Sequence, residues 1–262
     1  MRWCRIELDG RAVYGQVEGD DIVLVDGSPF DIWMRTPRRV PFAAAKLLVP
    51  VVPPNFYAAG LNYRAHIEWG AKRRNAAPNI PGQPDVGYRS ANALVPSGAD
   101  IVIPTDSTGP VEYEGELVAV IGRKAKHLSE DEALGCVLGY TLGNDLSERS
   151  WQKQDRTLWR AKNCDSFKPM GPYIATGLDP MKLTITIKVN GVTAAEYGTD
   201  KMLFSAQHYI SQISKYMTLQ PGDVVWLGTD GATEPSLKDG DTVEIIQKDI
   251  GVLRNPLKRA KA

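Results

Sequence analysis

The sequence predicts an α+β protein in which strands dominate. Three observations lead there. Apolar and polar residues alternate in many short runs, Gly, Asn and Asp turns separate those runs, and the few stretches of helical periodicity do not alternate regularly with strands.

Residues 1–50 begin with the β-like runs RWCRIEL, AVYGQVEG and DIVLVDG, divided by Asp-Gly and Gly-Asp turns and followed by the basic MRTPRRV. They predict a small β-rich N-terminal domain, with residues 51–262 as the larger domain. After VPVVPPNF, residues 64–86 are rich in Pro, Gly, Asn and Lys/Arg and show little periodicity. Long irregular segments inside a domain are commonly functional, and a lid over a site is one such form. From residue 101 the chain becomes regular, with DIVIP and EGELVAVIG as strands. SEDEALGC places Ser129 and Glu132 at capping-box spacing and opens a short helix. VLGYTLGND returns as a strand. In KLTITIKVNGVTAAEY, Leu183, Ile185, Ile187 and Val189 alternate with polar residues before an Asn190-Gly191 turn, the clearest hairpin signal in the chain. SAQHYISQISKYM carries Tyr209, Ile210, Ile213 and Met217 at helical spacing behind the cap candidate Ser205. PGDVVWLG and KDGDTVEIIQKDIGVL close the chain with strands and turns.

With 262 residues, 43% of them hydrophobic, the chain is long enough for a sizeable core. The 31 basic and 31 acidic residues cancel, so no global charge favours nucleic acid or an anionic membrane, and a small molecule is the expected partner. No apolar run approaches the ~20 residues of a membrane span, and MRWCRIELDG lacks the apolar centre of a signal peptide, which predicts a cytoplasmic location. Cys4, Cys136 and Cys164 are odd in number and have no C-x-x-C spacing, against both a disulfide framework and a zinc site.

The stretch VEYEGELVAV carries Glu112, Glu114 and Glu116 at every second position. Side chains two apart on a strand share a face at a spacing of roughly 6.5–7 Å, so Glu114 and Glu116 can converge on one hard cation such as Mg²⁺, Mn²⁺ or Ca²⁺. An E-x-E pair also describes the wet face of an edge strand. Here Val118 and Val120 continue the carboxylate face and Val111, Tyr113, Leu117, Ala119 and Ile121 the other, so the glutamates read as the rim of a pocket. Asp145 in GYTLGNDLSERSWQ offers a third carboxylate, and Ser147 as a helix cap would put Arg149 and Gln152 on one face beside it. Lys162 adds a cation, and the GTDGA turn at 228–232 adds the hydroxyl of Thr229. Of the three histidines, His127 and His208 lie in structural settings. His66, in the irregular LNYRAHIEWG, is the candidate general base, and Glu68 is placed to orient it.

GLNYRAH (60–66), EYEGELVAVIG (112–122), GYTLGNDLSERSWQ (139–152), KNCDSFKPMGP (162–172), LQPGDVVWLGTDGA and LKDGDTVEI (within 219–245) together resemble the fumarylacetoacetate hydrolase family in order and spacing over about 200 residues. The resemblance implies a mixed β-roll catalytic domain behind a small N-terminal domain, a homodimer, and Mg²⁺ or Mn²⁺ (Ca²⁺ in some members) bound by Glu114, Glu116 and Asp145. It makes Glu112 a neighbour without direct coordination. It implies that Lys162 holds or polarises the oxo-acid group, that Arg149, Gln152 and Thr229 contact substrate, and that His66 activates water. Three positions depart from the family pattern. Trp69 stands where many members have the base-orienting Glu, the common G-T-P turn is Gly228-Thr229-Asp230, and Tyr88-Arg89-Ser90 replaces a lysine-proline, making Tyr88 and Arg89 candidate pocket residues. The reaction expected first is hydrolytic C–C cleavage of a 1,3-dicarbonyl or 2,4-dioxo acid. Decarboxylation, isomerisation or tautomerisation of a 2-oxo acid, and ureidoglycolate-type lyase chemistry, are the alternatives on the same metal site.

Overall fold

The structure is a computed structural model that describes residues 1–231 and 233–261. A sheet of 12 strands runs in the order Trp33–Pro41, Asp21–Gly27, Arg11–Glu18, Arg2–Leu8, Lys168–Ala175, Val137–Asn144, Gly115–Ile121, Val224–Trp226, Phe56–Ala59, Val86–Tyr88. Lys46–Leu48 and Leu94–Val95 pair outside that path, on Arg2–Leu8 and Lys168–Ala175 respectively. A second sheet of five strands runs Val192–Gly198, Thr184–Val189, Thr242–Gln247, Gly251–Arg259, Ile101–Ile103. The expected strand-dominated mixed architecture is therefore present. Among the described residues no helix is long and apolar enough to cross a membrane.

The two sheets meet over the core. Leu117, Ala119 and Ile121 face Ile185, Ile187, Ile245 and Leu253 of the second sheet, with Tyr209, Ile210 and Ile213 of the Ala206–Tyr216 helix packed in the same cluster. Val118 and Val120 point the other way, into Trp226, Met170, Ile174, Phe56 and Trp3. The Gly115–Ile121 strand is thus buried on both faces, so a carboxylate on it can only be tolerated where a partner meets it.

Local expectations hold where pattern and turn chemistry agree. Thr184–Val189 and Val192–Gly198 form the hairpin, with Asn190 at φ 52° and Gly191 at φ 80°, as a primed two-residue turn requires. Ser129 and Glu132 form a reciprocal capping box on Glu130–Ala133, and Ser205 accepts a hydrogen bond from the His208 amide at the start of its helix. All three cysteines are free.

Three local readings change. Glu112 and Glu116 do not belong to one strand. Val111–Glu112 pairs with Ser147–Glu148, the chain then turns through Tyr113 and Glu114, and Gly115–Ile121 pairs with Val137–Asn144. The switch of partners is held by Asn144 Oδ1, which accepts the Glu114 amide at 3.0 Å, and by the Asp145 amide, which donates to the Glu114 carbonyl at 2.8 Å. Ser147 lies in that short strand, so the helix Arg149–Gln152 is capped instead by Glu148, whose carboxylate accepts from the Trp151 amide. The first half of residues 64–86, expected to be irregular, is a regular helix, Arg64–Arg73, because Ile67 and Ala71, four residues apart, both bury on the same face.

Candidate active site

Strand register assembles the carboxylates. Glu116 stands opposite Gly143 and Gly115 opposite Asn144, so Asp145, the residue after the Val137–Asn144 strand, emerges beside Glu114 and Glu116. One carboxylate oxygen from each of Glu114, Glu116 and Asp145 lies within 4.8 Å of the other two, and all three residues are buried. Gly143 is required by this packing, since a Cβ there would come within 2.5 Å of the Trp226 ring.

Cations surround the group unevenly. Lys162 Nζ donates to Glu114 Oε2 at 2.6 Å and to Asp145 Oδ2 at 2.8 Å. Arg89 grips both Asp145 oxygens, at 2.8 Å from Nη2 and 3.1 Å from Nε, and Lys168 Nζ lies 2.8 Å from Asp145 Oδ1. Arg149 bridges Glu112 Oε2 at 2.6 Å and Glu114 Oε1 at 2.7 Å, and its third nitrogen donates to Gln152 Oε1 at 2.8 Å. Glu112 also accepts from Arg73 at 2.8 Å and from the Thr233 hydroxyl, so it is ion-paired away from the triad. Glu116 receives the Gly228 amide at 2.8 Å and forms no ion pair among the described residues.

The titration behaviour follows. Burial opposes ionisation of Asp145, but Arg89, Lys162 and Lys168 outweigh it and hold the carboxyl well below its ordinary value. Burial opposes ionisation of Glu114 as well, and Lys162 and Arg149 still bring it down to about 2. At Glu116, burial is reinforced by Asp145 and Glu114, and the carboxyl is pushed well above its usual range. A divalent cation fits this arrangement: the donors are hard oxygens within reach of one point, and one of them belongs to a buried carboxyl, Glu116, that makes no ion pair among the described residues.

Beside the triad a cavity of about 620 Å³ is lined by His66, Trp69, Arg73, Arg149, Gln152 and Lys153, among others. Arg149 therefore faces the cavity and the carboxylates at once. His66 Nδ1 is 3.0 Å from the Gly231 carbonyl and its ring stacks on Trp69 at 5.6 Å. Thr229 is buried, with a hydroxyl that makes no close hydrogen bond among the described residues, next to the Gly228 amide that holds Glu116. Asp230 follows, its carboxyl raised by burial against the pull of the Gly231 amide and of His66. Ala232, the last residue of the GTDGA turn, lies outside the described residues.

Two candidates are not brought to the group. Glu68 is exposed and faces Arg64 at 3.8 Å, on the opposite side of the helix from His66, because two residues on a helix are about 200° apart. Tyr88 is 58% exposed and turns outward, its hydroxyl 2.9 Å from Met217 Sδ and its ring against Tyr57. Conversely, Lys168, Asn144 and Glu148 enter the site's framework from within KNCDSFKPMGP and GYTLGNDLSERSWQ, where no role was expected of them. The signal for Lys168 was a lysine inside the otherwise apolar run FKPMGPYIA, where a charge must find a buried partner.

Comparison with known proteins agrees with this architecture. Residues 55–258 match the family described as fumarylacetoacetate (FAA) hydrolase C-terminal, and residues 1–50 match the one described as Rv2993c-like, N-terminal. An uncharacterized protein of Archaeoglobus fulgidus is 38% identical over 251 residues, covering 96% of this chain and 94% of that protein. Oxaloacetate tautomerase YisK of Bacillus subtilis is 33% identical over 224 residues, covering 81% of this chain and 73% of that protein. The crystal structure of 5-carboxymethyl-2-hydroxymuconate delta-isomerase from Mycobacterium smegmatis superposes with a TM-score of 0.89 at 34% identity, covering 99% of this chain and 100% of that one. By motif, fold and near full-length similarity, the chain belongs to the fumarylacetoacetate hydrolase family.

Proposed function

We propose that this chain is a divalent-metal-dependent enzyme that works on an oxo acid through its enol, and that its reaction is keto–enol tautomerisation or isomerisation of a 2-oxo acid. The observation that carries the reading is the setting of His66. It lines the cavity with Nδ1 against the Gly231 carbonyl, and among the described residues no carboxylate hydrogen-bonds its ring. An imidazole that donates Nδ1–H to a carbonyl leaves Nε2 free to take up and return a proton. Moving a proton between carbon and oxygen asks no more than this. Hydrolysis asks for a base strong enough to make a nucleophile of water, and Glu68, expected to orient it, faces solvent. The relatives named as an oxaloacetate tautomerase and a delta-isomerase support the same branch of the chemistry.

In this reading Glu114, Glu116 and Asp145 would hold Mg²⁺ or Mn²⁺, with Ca²⁺ compatible with the same oxygen donors. A bound ion there supplies a Lewis acid that stabilises the negative charge of an enolate oxygen. Arg149 and Gln152 orient a substrate carboxylate, Thr229 offers an unused hydroxyl to it, and Lys162 supplies a proton donor beside the reacting oxygens. Hydrolytic C–C cleavage remains the second reading, because the same triad, His66 and cavity would also serve it. The homodimer belongs to the same proposal. A solution mass near twice 28.8 kDa supports it, and the mass of one chain counts against it.

The discriminating experiment follows the ultraviolet absorbance of enol-oxaloacetate with Mn²⁺ present. Wild-type protein is expected to accelerate its decay, and His66→Ala to lose roughly 10²–10⁴-fold of that acceleration. No acceleration over Mn²⁺ alone, with cleavage of acylpyruvates by the same sample, would move the assignment to the hydrolase reading.

A further inference from the structure

We propose that Lys168 is a fixed internal cation that keeps the triad's affinity for a divalent ion low until an anionic substrate binds with it. The inference rests on the reading of Glu114, Glu116 and Asp145 as metal ligands and deepens it. Lys168 is fully buried, and its ammonium group is committed in three directions: 2.8 Å to Asp145 Oδ1, 3.0 Å to the Leu146 carbonyl and 2.9 Å to the Phe167 carbonyl. It stands at the start of the buried strand Lys168–Ala175 with Pro169 next in the chain, so its charge has no route to solvent. Lys162 differs. Its two partners are both triad carboxylates, and it reaches them from the short helix Trp159–Asn163, so an incoming ion can take over those partners and leave its ammonium to the substrate.

The balance of charge matters as much as the contact. Five cations, Arg73, Arg89, Arg149, Lys162 and Lys168, are ion-paired to the carboxylates of Glu112, Glu114 and Asp145, with Glu116 as the fourth carboxylate of the group. These ion pairs place cationic groups against two of the three triad carboxylates before any metal arrives. A divalent ion must add two charges next to an ammonium that cannot move away, where the protein interior screens poorly. An anion bound beside it removes that repulsion, and by linkage each ligand then tightens the other by the same factor.

The test is calorimetric titration of Mn²⁺ into chelator-treated protein, with and without oxalate, for wild type and Lys168→Gln. Glutamine removes the charge and keeps a donor. The expected results are that oxalate tightens Mn²⁺ binding to wild type at least about tenfold, and that Lys168→Gln binds Mn²⁺ alone at least about tenfold more tightly than wild type, with a smaller oxalate effect. Equal or weaker Mn²⁺ affinity in the variant overturns the inference. So does wild-type affinity that ignores oxalate, an arm that stands even where the variant does not fold. Absence of Mn²⁺ uptake by wild type with oxalate present overturns the metal reading itself, an outcome distinct from the other two.

Discussion

Glu116 and Asp145 lie within 4.8 Å of each other at their nearest oxygens, yet they meet opposite electrostatic surroundings. Asp145 is held ionised by three cations, whereas at Glu116 burial and two carboxylate neighbours outweigh the pull of Lys162 and one backbone amide. Replacing Glu116 with Gln removes a buried carboxyl whose ionised form burial and two carboxylate neighbours oppose, so the metal-free protein should become more stable at pH 8, by roughly 1–3 kcal/mol on the scale of an unsatisfied buried polar group. The same variant should lose the rise in Tm that Mn²⁺ gives wild type; thermal melts with and without Mn²⁺ check both effects. Acid should act through the other two carboxylates. Glu114 and Asp145 have folded values below their unfolded values of about 4, so their contribution to stability is present above that value and is lost as pH falls through the folded ones, about 2 for Glu114. Glu116 runs the other way, its contribution being present below its unfolded value and lost as pH rises through the raised folded one. Melting temperature should therefore drop between pH 5 and pH 2, and Asp145→Asn should flatten that drop. The two-residue spacing of Glu114 and Glu116 made their convergence legible in the sequence. The grip of Arg89 and Lys168 on Asp145 was not, since it joins residues 56 and 23 positions away through tertiary packing alone.

Strand pairing carries this geometry. Gly143 sits one residue before Asn144, whose side chain receives the Glu114 amide, and two before Asp145. A methyl group at Gly143 would press on the Trp226 ring at 2.5 Å, and that ring is fully buried. Gly143→Ala should cost about 1–3 kcal/mol from overpacking and weaken Mn²⁺ binding as well, because the strand end that presents Asp145 must shift. Denaturant unfolding and metal titration of one preparation check the two together. Elements declared by a period and a turn, such as the Asn190-Gly191 hairpin and the Ser129 capping box, were readable from local residues. The break between Val111–Glu112 and Gly115–Ile121 was not, because alternation continues through Tyr113 and Glu114 while the backbone changes partners. The Arg64–Arg73 helix escaped for a related reason: it buries only Ile67 and Ala71, too few positions to show a period, and its phase decides that His66 faces the cavity while Glu68 does not.

At the scale of the molecule, the N-terminal strands join the 12-stranded sheet directly. Arg2–Leu8 pairs with Lys168–Ala175, Trp3 standing opposite Ile174, so the strand that presents Lys168 to Asp145 is buttressed from both sides. Leu94–Val95 pairs with the same strand opposite Lys168 and Pro169, Val137–Asn144 on its other flank leads to Asp145, and the next strand begins beside Glu114 and carries Glu116. One continuous sheet thus sets the distances among the three carboxylates, while the helix carrying His66 approaches from outside it and forms one wall of the cavity. Order and spacing of motifs over about 200 residues were enough to read the family from the sequence, but the reaction depends on where a proton or a water is delivered, which is a property of that assembled wall. The most direct test of the account is mass spectrometry of the products from enol-oxaloacetate and from acylpyruvates, incubated with the protein and Mn²⁺ in ¹⁸O-labelled water and, separately, in D₂O. A tautomerase gives deuterium at the carbon beside the oxo group, dependence on both Mn²⁺ and Glu116, and no ¹⁸O in any released acid; an ¹⁸O-labelled carboxylic acid formed by C–C cleavage would overturn the tautomerase reading.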